Sequence, residues 1–290
     1  MNAVISRALA ATVLLLAAGS FVGAQSQRLK NIELCNGGTR ASPDSPIRRS
    51  DRTSPDLQIR GCTALIDLGN EKPYVLSIAH NNRGNAYTAK GDYDRAIENY
   101  DESIKLNPDY ARAFNNRGVV YLKKGEYDQA IKDFDEAIRL NSDYAIAFAN
   151  RAEAYQRTND YGHAAADYDE AIRLKPELDT VWNGRCWVRA ILGQLETALE
   201  DCNKALQLKP DDAAAHDSRG LVYLKSGQFH SAIGDYNSAL RTLPRLASAL
   251  YGRGVAKINS GDKAGGQTDL ATARAIDPHI NELFARYGVQ

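Results

Sequence analysis

ARAFNNRGVVYLKKGEYDQAIKDFDEAIRLNSDY, residues 111–144, decides the architecture. Apolar side chains recur in it at helical spacing on two segments. Gly125 stands between them, where a helix end favours a residue free to take the left-handed conformation. The stretch therefore predicts two antiparallel helices joined by a tight turn. Gly118, Ala130 and Ala137 let the two backbones approach, while Phe114, Tyr121, Tyr127, Ile131, Phe134 and Ile138 supply the bulk that fills the hairpin and its junction with the next unit. An aromatic stripe at helical spacing packs a core rather than binding a cofactor.

The same pattern returns every 34 residues in both directions. Arg117-Gly118 is echoed by Arg83-Gly84, Arg151-Ala152, Arg185-Cys186, Arg219-Gly220 and Arg253-Gly254. The turn residues Gly91, Gly125, Asn159, Gly193, Gly227 and Gly261 keep the register, as do Ala96, Ala130, Ala164, Ala198, Ala232 and Gly266. In motif and period residues 77–280 resemble the tetratricopeptide family. The resemblance divides them into units 77–110, 111–144, 145–178, 179–212, 213–246 and 247–280. It implies an all-α, right-handed α-solenoid of six helix-turn-helix repeats with an N-terminal helical cap. One unit cannot bury its own faces, so stability requires the stack.

The recurrent arginine invites reading as an anion-binding ladder, but a structural role competes. Asp133, Asp167, Asp201, Asp235 and Asp269 each follow an arginine by 16 residues, with Asn99 in the first repeat. A guanidinium near a packed helix surface needs a fixed partner, and this recurrent acid on the second helix supplies one.

The ends depart from the repeat. Residues 1–24 carry one charge, Arg7, then an uncharged run, Ala8–Ala18, rich in Ala and Leu, and end on Val22-Gly23-Ala24. That is the pattern of a secretory signal peptide cleaved after Ala24, which predicts a periplasmic or secreted protein. The run falls short of the roughly 20 residues that span a bilayer, so no membrane span is expected after cleavage. Residues 25–56, with Pro43, Pro46 and Pro55 among Ser, Asp and Arg, read as loop. A capping helix and its connection are expected over 57–76, with Ile59, Cys62, Leu65 and Ile66 on one face. Residues 281–290 form a C-terminal capping segment, where Leu283 and Phe284 would cover repeat six.

Four cysteines allow three connectivities, and export makes disulfides the default state of paired thiols. Cys186 and Cys202 fall at positions eight and twenty-four of their repeat, on either side of its turn, and should face each other across the hairpin. Cys35 and Cys62 would staple the leading segment to the cap. Reduced, Cys186 and Cys202 are simply small core residues.

Lys plus Arg equals Asp plus Glu at 36 each in 290 residues, so no global field favours nucleic acid or an anionic membrane. Phosphate-binding glycine loops, nucleophile elbows and metal-ligand spacings are missing, and paired acids such as Asp135-Glu136 recur at repeat period as a solvated face. Neither catalysis, a cofactor nor a metal is expected.

A protein or peptide partner is the reading that remains. The resemblance implies that the first helices of the repeats line a concave surface. Carried onto this chain, that surface presents Asn81, Asn82, Asn85, Asn115, Asn116 and Asn150 in the first half, then Trp187, Leu221, Leu224 and Tyr251 in the second. Asn82, Asn116 and Asn150 resemble the asparagine ladder that grips peptide backbone in the helical repeats of O-linked N-acetylglucosamine transferase. An amide suits that task because its donor and acceptor match a peptide group. The ladder breaks at Gly184, Ser218 and Gly252. The competing reading is that the asparagines bond only neighbouring helices and that Trp187 packs on Ile191 and Leu221. A second candidate role is that of a structural subunit in an envelope assembly.

Overall fold

The computed structural model describes residues 25–37 and 54–289. The leader expected over residues 1–24 lies outside the described residues. The chain forms two compact units, one ending at Leu140 and one beginning at Asn141, and all regular structure among the described residues is helical.

The first unit contains α1 (25–35), α2 (Pro55–Asp67), α3 (Pro73–Ala89), α4 (Tyr93–Leu106), α5 (Ala111–Lys124) and α6 (Tyr127–Leu140). The expectation of loop over 25–56 is corrected for residues 25–35, which are helical. The prolines and the glycine pair all lie beyond Cys35, and averaging composition over the whole stretch hid a helix-compatible opening. The first repeat also begins earlier than expected: α3 starts at Pro73, where proline's fixed φ and missing N–H suit a first helical turn.

The turn inside each pair is made as the sequence predicts. Gly125 ends α5 at φ 78°, and Asn159 takes the same role at φ 62°. Asn159 is the one non-glycine with positive φ among the described residues, a conformation asparagine tolerates through its short polar side chain. Close packing follows from the small residues. A Cβ on Gly118 would stand 2.7 Å from the Phe134 ring, so the glycine admits the phenylalanine into the hairpin.

The helix pair α1–α2 follows the internal geometry of a repeat. Cys35 bridges to Cys62 with Cα atoms 4.5 Å apart, and Cys186 bridges to Cys202 at 5.3 Å. In the repeat frame both bridges join position eight to position twenty-four. Two further contacts agree with that register. Arg83 Nη1 donates to Thr63 Oγ1 at 3.1 Å, as Arg219 Nη1 donates to Asn203 Oδ1 at 2.8 Å in the preceding pair. Gly61 allows α1 to cross α2 so closely that a Cβ there would lie 2.5 Å from that of Leu34. Non-reducing peptide mapping is expected to recover Cys35 joined to Cys62 and Cys186 joined to Cys202; recovery of Cys35 joined to Cys186 would refute both pairings.

The second unit contains α7 (Ala145–Arg157), α8 (Tyr161–Leu174), α9 (Asp179–Ile191), α10 (Leu195–Leu208), α11 (Ala213–Lys225), α12 (Phe229–Thr242), α13 (Ala247–Asn259), α14 (Lys263–Ile276) and α15 (Ile280–Arg286). Its first helices, α7, α9, α11 and α13, pack in a row. The short α15 packs on the last pair, α13 and α14.

Candidate functional site

The arginine ladder is a packing device. Arg117, Arg151, Arg185, Arg219 and Arg253 each grip the aspartate 16 residues on with two nitrogens, at 2.6–2.9 Å. Arg83 donates to Asn99 at 2.7 Å. Aromatic faces cover the guanidiniums: Phe114 lies 5.7 Å from that of Arg117 and Trp182 5.0 Å from that of Arg185. These contacts tie the two helices of a pair together and leave the arginines engaged.

On the first unit the predicted asparagines converge. Asn82 Nδ2 donates to Asn36 Oδ1 at 3.0 Å, Asn81 Nδ2 to Asn82 Oδ1 at 3.3 Å, and Asn116 Nδ2 to both Asn81 Oδ1 and Asn85 Oδ1 at 3.0 Å. Asn115 Nδ2 donates to Asn116 Oδ1 at 3.3 Å, and the Tyr100 hydroxyl donates to Asn85 Oδ1 at 2.8 Å. Burial pushes the Tyr100 phenol up to about 12, so it stays a donor at neutral pH. Asn81 and Asn115 are buried, Asn82 and Asn116 half-buried, and Asn85 exposed. The result is one bonded amide network running from the turn after α1 across α3 and α5, with a buried root and an exposed edge.

Asn36 was missed in the sequence, although the signal was present. If Cys35 holds position eight of a degenerate repeat, Asn36 holds position nine, the place of Asn85. The bond from Asn82 to Asn36 then repeats the bond from Asn116 to Asn85. Asn150 lies in the second unit, on α7.

The break in the ladder at Gly184 and Gly252 has a steric cause. A Cβ on Gly252 would stand 2.3 Å from the Tyr236 hydroxyl, and one on Gly184 would stand 2.6 Å from the Tyr168 hydroxyl. At these two positions the tyrosine of the preceding pair fills the space a side chain would take, whereas Tyr100, at the same position before Asn116, turns its hydroxyl to Asn85 and leaves room for the amide.

The apolar half of the expected groove is already filled. Phe284 is 2% exposed and lies against Tyr251 with ring centroids 4.5 Å apart and the rings tilted by 42°, and Tyr287 meets Trp187 edge-on at 5.3 Å. Leu221, Leu224 and Tyr251 are buried in the cluster that holds Ile280, Phe284 and Val289. The expectation that these residues form an open partner groove is corrected: α15 and the residues after it occupy that face. Leu283 and Phe284 were read as covering repeat six; α15 does pack on α13 and α14, and the tail reaches further, to Trp187 through Tyr287.

Beside α15 lies a cavity of about 420 Å³, lined by Tyr161, Trp187, Asp217, Tyr236, Ser248 and Tyr287 among others. Asp217 accepts a hydrogen bond from Ser248 Oγ at 2.7 Å, and burial pushes its carboxyl up to about 6. Asp217 holds position five of its repeat, one of the groove positions, yet it was not singled out in the sequence because it does not recur.

Family models described as TPR repeat match residues 84–125 and 188–227, and models described as tetratricopeptide repeat match 111–144, 145–178 and 218–276. Among solved structures, YrrB, described as a TPR protein with an unusual peptide-binding site, is similar with a TM-score of 0.51 at 23% identity, over 66% of this chain and 98% of that one. A tetratricopeptide repeat protein from Parabacteroides merdae gives 0.63 at 16% identity over 91% and 98%. PilW, described as a widely conserved type IV pilus biogenesis factor, gives 0.63 at 18% identity over 72% and 98%. At such identities the likeness is one of fold. No curated protein matches the chain in sequence. The family matches span the 34-residue register and the helix pairs it builds, and the chain belongs to the tetratricopeptide repeat family.

Proposed function

We propose that this chain is an exported, non-catalytic scaffold that holds a peptide or protein partner along the amide-lined face of its first unit. Tetratricopeptide proteins are in general protein-interaction scaffolds, which sets the broad class. The observation that carries the finer reading is the bonded network from Asn36 through Asn82, Asn81 and Asn116 to Asn85. Amides held by one another lose little rotamer freedom when a ligand arrives, and their remaining donors and acceptors match an extended backbone whatever its side chains. The leader-like residues 1–24 and the two cysteine pairs support an oxidising location, periplasmic or secreted.

The test is a crosslinking pull-down from the native envelope fraction with wild type, Asn82→Ala and Asn116→Ala. Partner recovery is expected to fall several-fold for each variant, with Asn116→Ala the weaker binder because its Nδ2 serves two rungs. Each change also leaves an amide short of a bond, a loss of about 1–3 kcal/mol, so helical content and the unfolding midpoint are measured alongside. Unchanged recovery from both folded variants would count against this face. A second reading, a structural subunit of an envelope assembly, draws on exposed Leu192, Leu208 and Leu243 in the second unit and on the fold shared with a pilus biogenesis factor. It predicts silent asparagine variants and loss of the complex when those leucines are made polar.

A further inference from the structure

The cavity beside α15 holds a buried carboxylate that no cation of the described residues bonds, although two arginines stand in its lining. Asp217 is the only carboxylate lining it, and among the described residues that carboxylate has one hydrogen bond, from Ser248, and no cationic partner. The Tyr236 side chain is fully buried, lines the same cavity, and its hydroxyl has no hydrogen-bond partner. A buried polar atom left alone carries a penalty that natural structures rarely tolerate without a bound group. A neighbouring cavity of about 270 Å³ shares Gln156, Trp187 and Asp217 and is lined by Asn183, whose buried Oδ1 is also without a partner.

Around this polar floor stand three aromatic side chains. Trp187 meets Tyr287 at 5.3 Å and Tyr161 at 5.8 Å, both edge-on, so their rings form a wall rather than a stack. A carboxylate at the base of an aromatic wall attracts an organic cation by both its charge and the ring faces, and desolvation strengthens each attraction. The two arginines of the lining stand at the mouth: Arg157 is held by Glu153 at 3.2 Å, and Arg286 is exposed.

We propose that the cavity between Trp187, Tyr287 and Asp217 binds an organic cation, the ammonium or guanidinium group at the end of a basic side chain. Asp217 takes the charge, Tyr236 OH accepts a further N–H donor, and the alkyl stem lies along Trp187. The site is separate from the amide network of the first unit and does not rest on it.

Proton linkage gives the site a pH dependence. The Asp217 carboxyl is pushed up to about 6 by burial, with the Ser248 hydrogen bond opposing, so it loses its charge as pH falls through that value. Burial raises the phenols of Tyr161, Tyr236 and Tyr287, which therefore stay neutral over the same range. His216, the neighbour of Asp217 on α11, is engaged by Asp235 at 2.9 Å and the Pro210 carbonyl at 3.0 Å. Cation affinity is expected to fall roughly tenfold between about pH 7.5 and about pH 5.

The experiment uses the full chain and small probes, so it succeeds or fails independently of any partner. N-acetyl-lysine methylamide and N-acetyl-arginine methylamide are titrated while the Trp187 indole resonance is followed, with n-butylammonium and N-acetyl-norleucine methylamide as comparisons. The two basic amino-acid probes are expected to saturate, and n-butylammonium to bind more weakly, marking a side chain rather than a free amine. The norleucine analogue is expected to leave the resonance unmoved. Asp217→Asn is expected to weaken binding by at least about tenfold, the range for a hydrogen bond to a charged group. The same variant is expected to keep or raise the melting temperature at neutral pH, since it removes a desolvated charge. Equal binding of norleucine and lysine probes, undiminished binding by Asp217→Asn, or no response of Trp187 to any probe would each overturn the proposal.

Discussion

Asp201→Ala is expected to destabilise the second unit by about 3–5 kcal/mol, the loss typical when one partner of a buried ion pair is removed. Asp201 is 2% exposed and accepts from Arg185 Nε and Nη2 at 2.9 and 2.6 Å and from Arg189 Nη1 at 2.9 Å. Without it two guanidiniums remain packed against the helices with only Asp169, half exposed at its side chain, to share. The substitution also sits one residue from Cys202, so the loss falls on a pair that the disulfide holds together. Urea unfolding followed by circular dichroism measures it as a lower midpoint at unchanged slope. Glu136→Ala, which breaks only the exposed pair with Arg139 on α6, serves as the contrast and is expected to change stability by less than about 1 kcal/mol. Similar losses for the two variants would show that burial of the ladder contributes nothing.

Phe284→Ala is expected to release α15. A seven-residue helix has almost no stability of its own, so docking alone holds it in place. Truncating a fully buried phenylalanine typically forfeits about 3–5 kcal/mol. Here that figure exceeds what a short terminal element can be expected to retain, so the tail detaches locally while the helix pairs stay folded. Hydrogen exchange is expected to lose protection over 280–289 with the other helices unaffected, and the Trp187 emission is expected to shift to the red. Release also uncovers Leu221, Tyr251 and Trp187, a contiguous apolar face of the kind that binds partners or self-associates. An unchanged exchange pattern would show that Ile280 and Val289 suffice to hold the tail.

How much of this was legible follows from what repeats. A period of 34 residues states which side chains share a helix face, so the hairpins, their left-handed turn residues and the Arg–Asp grip were readable before any coordinates. The asparagine cluster was readable for the same reason, since Asn82 and Asn116 recur at one position. What does not recur was lost. The helix over 25–35 is hidden by an unusually long separation between Cys35 and Cys62, which displaces the cap from the register that would have exposed Asn36 as a further rung. The path of α15 was lost because periodicity says which residues are apolar and not which face a short tail will choose. Asp217 was passed over because its chemistry depends on Ser248, Tyr236 and Tyr287, brought from α13, α12 and the turn after α15.

The two cysteine bridges share a property that bears on how the chain answers mechanical load. Each closes within a single helix pair, over 27 and 16 residues, and neither joins one pair to the next. A pull on the ends can therefore peel pairs apart at their junctions, but it cannot draw out the chain enclosed by either bridge. At about 3.5 Å per extended residue, the bridges withhold roughly 95 Å and 55 Å of contour length from the stretched protein. Tension would leave those two hairpins latched while the unbridged pairs can be drawn out in full.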